Sequence, residues 1–427
     1  MNGVSFYKEK MTDENAVYFT EEFFDISSDG TRDVSEELQR AIYSVVKQDG
    51  YGVLFVPEGK YLLSRTIYMP KAVRMIGYGK NRPEFILKDN AEGFDIEHPE
   101  QKGGFQYLFW FVNMMQEDET KIQDANPGTF YSAISNINVS LGKGNPYAVA
   151  FRTHYAQHCF INHIDIHVES GMAGIYDVGN EMEDVYINGG RYGIITTKCS
   201  PGWPFVMVDT RFYGQAVAAI KTREAGLNII RTHSVNTSKF IDVEEGYFEK
   251  LVIEDSIFDD MNCFLHIAQE NNTLTQINIR NCQLKSVENI VQYKDTGRKI
   301  VNEDYQCFLK KYVHGIVASD AAPDKQFHDE IYRYSKEIDY SVLKTDLPKL
   351  PSMESWKNAK EAGLKGDGKS DDTEALRQAI EQYETIYFPQ GEYVFSGQIP
   401  LKENTALIGM NPVSTQLILK ENSEKFT

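Results

Sequence analysis

INVS (Ile137–Ser140), IDIH (Ile164–His167) and VYIN (Val185–Asn188) are short alternations of apolar and polar residues, 27 and then 21 residues apart. Four more follow: VMVD from Val206, IIRT from Ile229, LVIE from Leu251 and INIR from Ile277, at steps of 21, 23, 22 and 26 residues. A period on this scale signals a solenoid. No 3.6-residue periodicity accompanies it, so the rungs are strands rather than helices. The first and third side chains of a strand point the same way. Six of the seven rungs carry apolar residues at both positions, and Arg231 interrupts the fifth. The expectation is an all-β parallel solenoid across residues 130 to 290.

Stacked rungs lie about 4.8 Å apart, so equal positions in successive rungs become neighbours. The fourth position then forms a column of His167, Asn188 and Asp209. One residue before each strand gives His163, Asp184 and Phe205, and two before gives Asn162, Glu183 and Pro204. Carboxylates, amides and an imidazole on one side are the groups of a polar cleft. The same columns also suit rung corners, where polar side chains satisfy backbone groups.

Both ends carry one pattern. SDGTRDVSEELQRAI (Ser28–Ile42) returns 338 residues later within GLKGDGKSDDTEALRQAI (Gly363–Ile380), and FVPEGKYLLS returns as YFPQGEYVFS at an interval of 332, which continues through Phe94 and Phe426. Asp33 and Asp371, each followed three residues later by a glutamate, predict capping boxes opening short helices. Leu38, Ala41, Ile42, Val45 and Val46 put one apolar face on the first helix. Such a helix covers the open end of a strand stack, which otherwise recruits foreign strands. Residues 290 to 350 lose the rung pattern, and KTDLPKLPS (Lys344–Ser352) reads as a linker. The expected organisation is an N-terminal extension (1–23), a first β-helix (24–343), a linker (344–361), and the cap and first strands of a second, incomplete β-helix (362–427).

The chain has 427 residues and a formal net charge of −18. So negative a surface repels a phosphate backbone, which excludes nucleic acid as an expected partner. No run approaches the roughly 18 apolar residues of a membrane span, and no membrane partner is expected. The opening MNGVSFYKEKMTDENAV lacks a signal-type apolar stretch, so the expectation is a cytoplasmic protein, or a secreted one whose leader is absent. Five scattered cysteines (Cys159, Cys199, Cys263, Cys282, Cys307) read as buried free thiols. They and the acidic run from Glu244 through Glu249 to Asp260 show no metal-ligand spacing, so neither metal nor cofactor is expected, and the run reads as a solvated face.

The doubled opening and P-x-G-x-Y turn resemble the pectate-lyase-like superfamily of right-handed parallel β-helix proteins. Within it, the tandem arrangement resembles family 55 glycoside hydrolases, exo-β-1,3-glucanases or laminarinases, in which two β-helices flank the substrate. YAQHCFINHI (Tyr155–Ile164) and MEDVYINGGRYG (Met182–Gly193) look like the water-binding side of that active site. The resemblance implies inverting hydrolysis, with Gln157 holding the attacking water. Glu183 stands where the family has a serine, and a carboxylate there can act as the general base. Inversion needs base and acid about 6.5 to 9.5 Å apart. In the family the acid comes from the second β-helix, so the expectation is that this 427-residue form is incomplete for catalysis. His154, His163, Asp177, Glu181, Asp184 and Trp203 are candidates for binding the sugar, Trp203 as a stacking platform.

The expected function is therefore hydrolysis of a neutral oligo- or polysaccharide. Two alternatives stand beside it. A pectate-type polysaccharide lyase calls for outward Arg or Lys beside carboxylates on one rung, and the sequence presents no convincing instance. A non-catalytic, carbohydrate-binding or tailspike-like β-helix calls for fibre-forming tails. The oligomeric state is not legible.

Overall fold

The computed structural model of the chain describes residues 4–198, 202, 204–318, 325–347 and 349–420. The first unit is a right-handed parallel β-helix whose coils each contribute a strand to three sheets. The first sheet stacks Ile134, Ile161, Met182, Met207, Ile229, Ile253 and Ile279 in one inward ladder, and none is more than 2% exposed. The third sheet stacks Phe109, Phe151, Ile175, Ile194, Ile220, Ile241, Leu265 and Val291 in the same way. Each of these buried side chains contributes roughly 1.5–3 kcal/mol. The repeat thus adds core in proportion to length.

First and second sheets meet at a one-residue corner. Asn136, His163, Asp184, Asp209, Arg231, Asp255 and Asn281 occupy it, with φ between 48° and 57°. Asn, Asp and His tolerate this left-handed conformation better than other residues with a Cβ. Arg231 is therefore a corner residue and no defect in a strand. It is held by Asp209 at 2.6 Å and Asp346 at 2.8 Å.

This register corrects the expected columns. His167 does lie beside Asn188, but Tyr213 follows Asn188 rather than Asp209. The column through His163 and Asp184 continues to Asp209 and not Phe205, and Glu183 is followed by Val208 and not Pro204. The strand Phe205–Val208 belongs to the first sheet, whereas Ile137, Ile164 and Val185 open strands of the second. Spacing cannot distinguish them, because strands of every sheet alternate alike. Glu249, expected on a solvated face, is fully buried. It accepts from Thr222 Oγ1 and from the amides of Ala225, Gly226 and Lys250.

The helix Ser35–Asp49 covers one end of the stack, burying Leu38, Ala41, Ile42 and Val45. Its capping differs from expectation. Asp33 accepts from the amide and hydroxyl of Ser35 at 2.9 and 2.6 Å, while Glu36 turns away to Arg65 at 3.1 Å. The second unit repeats the design with the helix Thr373–Gln382. Tyr61 donates to the Pro57 carbonyl and Tyr393 to that of Pro389, each at 2.9 Å. The strands Trp356–Asn358, Thr385–Phe388 and Ala406–Gly409 form one small parallel sheet, and Asp367–Asp371, Gly391–Phe395 and Thr415–Leu419 another. Leu417 and Leu419 are 53% and 57% exposed, whereas their counterparts Phe85 and Leu87 lie buried under the next rung. The far end of the first unit finishes in an antiparallel hairpin, Gln306–Ala318 with Lys325–Ser335.

The two units share a core of Met11, Val53, Phe55, Ile76, Tyr387, Ile408 and Met410. Asn411 donates from one unit to the Gly52 and Ala72 carbonyls of the other, at 3.0 and 3.1 Å. The N-terminal segment is stitched to both. The buried Asp13 accepts from the Gln390 amide at 3.0 Å, and Tyr7 O accepts from the Gly79 amide at 2.9 Å. Cys159, Cys263, Cys282 and Cys307 are buried free thiols, and Cys199 lies outside the described residues. Among the described residues no helix is long and apolar enough to cross a membrane.

Candidate functional site

The outer face of the first sheet runs from the shared core into a polar stretch. Arg74 pairs across the ladder with Ala133 and then Phe160 and Glu181, and beside it run Ser135, Asn162 and Glu183. Strand alternation explains the arrangement: Met182 points into the core, so Glu181 and Glu183 point out. Glu183 makes no hydrogen bond or ion pair among the described residues and is half-buried. Burial, with repulsion from Asp209, Asp184 and Glu181, pushes its carboxyl above the ordinary glutamate range despite the nearby His163.

Its neighbours are also short of partners. Ser135 Oγ, Asn162 Oδ1 and Gln157 Oε1 are buried oxygens with no hydrogen-bond partner among the described residues. Native proteins seldom leave such atoms empty, and exceptions concentrate where a ligand or water binds. Arg74 donates to three backbone carbonyls, those of Tyr131 at 3.2 Å, Met410 at 2.9 Å and His158 at 3.4 Å, and to no carboxylate among the described residues. Burial lowers its pKa. Tyr7, from the N-terminal segment, lies within electrostatic reach of both Arg74 and Glu183, and burial pushes its phenol up to about 12.

At the adjoining corner His163 Nδ1 lies 3.0 Å from Asp184 Oδ2. Arg82 and Arg211 approach the same carboxylate at 2.9 and 3.3 Å. Burial pushes Asp184 up, but the His163 bond and the arginine charges hold it below the usual carboxylate range. The face therefore pairs a proton-accepting carboxylate, Glu183, with one kept ionised, Asp184. Opposed environments of this kind separate acid–base roles.

Of the residues expected from sequence, Glu183, Glu181, His163 and Asp184 are on or beside this face. Gln157 lies in the turn leading into it. His154 and Asp177 belong elsewhere, beside the third sheet. Asp177 is 2% exposed and bound to Arg152 at 3.1 Å and Lys102 at 3.2 Å. His154 Nδ1 sits 3.0 Å from Ala125 O. With Asp124, which takes Arg152 at 2.5 Å and Trp110 at 2.8 Å, they fasten a long excursion onto the coil. Trp203 lies outside the described residues. Asn162 stood in the expected column beside Glu183, whereas Arg74, Ser135 and Tyr7 escaped the sequence reading: the ladder step from Arg74 to Ala133 spans an excursion that hides the period, and Tyr7 comes from the N-terminal segment. The third sheet also carries outward cations that the rung spacing concealed. Asp242 is met by Lys294 at 2.8 Å, His266 at 2.9 Å and Lys239 at 3.5 Å. Among the described residues no three His, Cys, Asp or Glu side chains converge to hold a metal.

A three-sheeted parallel coil with a polar face of this kind defines a pectate-lyase-like β-helix protein. The chain belongs to the rhamnogalacturonase A/epimerase, pectate lyase-like family, whose model matches residues 23–240 and 356–425 and so takes in both units. Among curated proteins it is 29% identical over 153 residues to the non-secreted LysM effector LysM15 of Penicillium expansum, covering 31% of this chain and 11% of the relative. It is 36% identical over 83 residues to alginate lyase 7 of Azotobacter vinelandii, covering 16% and 10%. The chain thus spans about a tenth of the length of the curated relatives it matches. Among solved structures, the surface adhesin PfbA of Streptococcus pneumoniae matches with a TM-score of 0.40 and 11% identity, over 68% of this chain and 80% of that one.

Proposed function

We propose that this protein is a glycan-cleaving enzyme working on the first-sheet face, a glycoside hydrolase akin to exo-β-1,3-glucanases. The observation that carries the proposal is Glu183, a half-buried carboxylate raised in pKa and flanked by the buried oxygens of Ser135 and Asn162, all three without a partner among the described residues. In this reading Glu183 takes the proton of an attacking water that Gln157 and Asn162 orient. His163 and Asp184 bind sugar hydroxyls. As in the family 55 resemblance, the acid protonating the leaving oxygen is assigned to the side of the second β-helix. Family membership and the glycan named in one relative support a glycan substrate.

The test is Glu183→Gln, assayed for reducing sugar released from neutral glucans. General-base loss lowers kcat by about 10²–10⁴-fold. A base acts when deprotonated, so wild-type kcat rises with pH through a limb lying above the ordinary glutamate range. Unchanged turnover in the variant removes the assignment.

Arg74 favours a second reading. A half-buried guanidinium that meets carbonyls and the Phe160 ring but no carboxylate among the described residues is suited to a uronate carboxylate, and elimination beside a uronate is lyase chemistry. An unsaturated, ultraviolet-absorbing product from an acidic glycan, with no hydrolysis of neutral ones, selects this reading.

A further inference from the structure

Phe6 lies flat on the imidazole of His163, with ring centroids 3.9 Å apart and an interplanar angle of 11°. Tyr7 meets its edge at 5.0 Å and 86°. Three interactions fix this stretch of backbone. The Phe6 amide donates to Asn136 Oδ1 at 2.7 Å, Asn136 Nδ2 donates to Ser5 Oγ at 3.1 Å, and Tyr7 O accepts from Gly79. Asn136 is fully buried, and its amide also donates to Gly77 O at 2.7 Å, so the anchor itself cannot swing. Yet Phe6 remains 36% exposed. One face of the ring is taken by His163, and the residue is nonetheless accessible to solvent.

An anchored aromatic that stays solvent-accessible, near polar oxygens with no partner among the described residues, has the features of a pyranose-binding platform. The apolar C–H face of a sugar lies on the ring while its hydroxyls reach the amides and carboxylates alongside. We propose that Phe6 is such a platform, a sugar subsite that the N-terminal segment adds to the Glu183 cleft. The proposal rests on the glycan reading above and adds a residue from outside the repeat. It also gives the Phe6–His163 stack a purpose: the imidazole backs the ring and holds it in place.

The alternative is that Phe6 is a plug occupying the place of the sugar. The two predict opposite signs. Binding is measured by calorimetry in the Glu183→Gln background, where turnover does not interfere, with β-1,3-gluco-oligosaccharides and with oligogalacturonate as the probes. A platform makes Phe6→Ala weaken Kd by about ten-fold, as loss of one stacking contact does. Phe6→Trp holds or tightens it, and the melting temperature stays close to that of the parent. In the Glu183-intact protein the same loss appears in KM while kcat is preserved. Equal or tighter binding by Phe6→Ala overturns the platform. Should neither probe bind the parent while Phe6→Ala binds one, the ring is a plug and the glycan reading stands. Should no form bind either probe, both the platform and the glycan reading fall.

Discussion

Asp255 holds a φ of 51° at the corner between the first and second sheets. A β-branched residue there meets the full steric cost of left-handed backbone, whereas glycine meets none. Asp255→Val is expected to be about 1–2 kcal/mol less stable than Asp255→Gly. The check is the urea midpoint at constant m-value. Equal midpoints mean that the corner can relax. This column was half legible in the sequence. His163 and Asp184 stand out as polar residues before apolar strands, 21 apart. Beyond Asn188 the turn lengthens, and apolar alternation pointed to a strand of another sheet. Phe6 and Tyr7 had no period to reveal them, since they reach the polar face from outside the regular repeat, and Arg74 lies on a rung that a long excursion separates from the next.

Among elements, the turn between Ala218–Thr222 and Leu227–Ile230 depends on a residue from the next coil. Glu249 accepts three hydrogen bonds from it, at 2.6, 3.1 and 2.8 Å, and a fourth from the adjacent Lys250 amide at 2.8 Å. Burial raises its pKa, while these bonds oppose the rise. Glu249→Ala leaves four donors without an acceptor in a dry site, a loss of about 3–5 kcal/mol by analogy with breaking a buried ionic contact. Glu249→Gln keeps one acceptor oxygen and is expected to lose less. Hydrogen exchange at the Ala225 and Gly226 amides reads this directly, and unaltered protection in Glu249→Ala refutes the clamp. No composition rule would have singled out Glu249 from Glu244 and Glu245, because burial at a corner depends on coil geometry. The helices and P-x-G-x-Y turns were legible, since their signals are local and occur twice.

At the scale of the molecule, the question is whether the two units unfold together. Seven buried side chains from the N-terminal segment and both units form one core. Asn411, Arg74 and Asp13 add hydrogen bonds across it. A boundary so dry couples the units, and the wild type is expected to melt in one transition with calorimetric and van't Hoff enthalpies in agreement. Ile408 is 9% exposed and belongs to this shared core, while the separate core around Leu376 and Tyr393 does not include it. Ile408→Asp places a charge in the boundary where an apolar side chain packs, which costs several kcal/mol. The expected result is a second, lower transition for the second unit, with the main transition nearly unmoved. Leu417→Ser is the control, because that side chain is already 53% exposed and its loss leaves the single transition intact. A single transition in Ile408→Asp, shifted as a whole, means that the repeat's own stacking, rather than this core, sets the cooperativity.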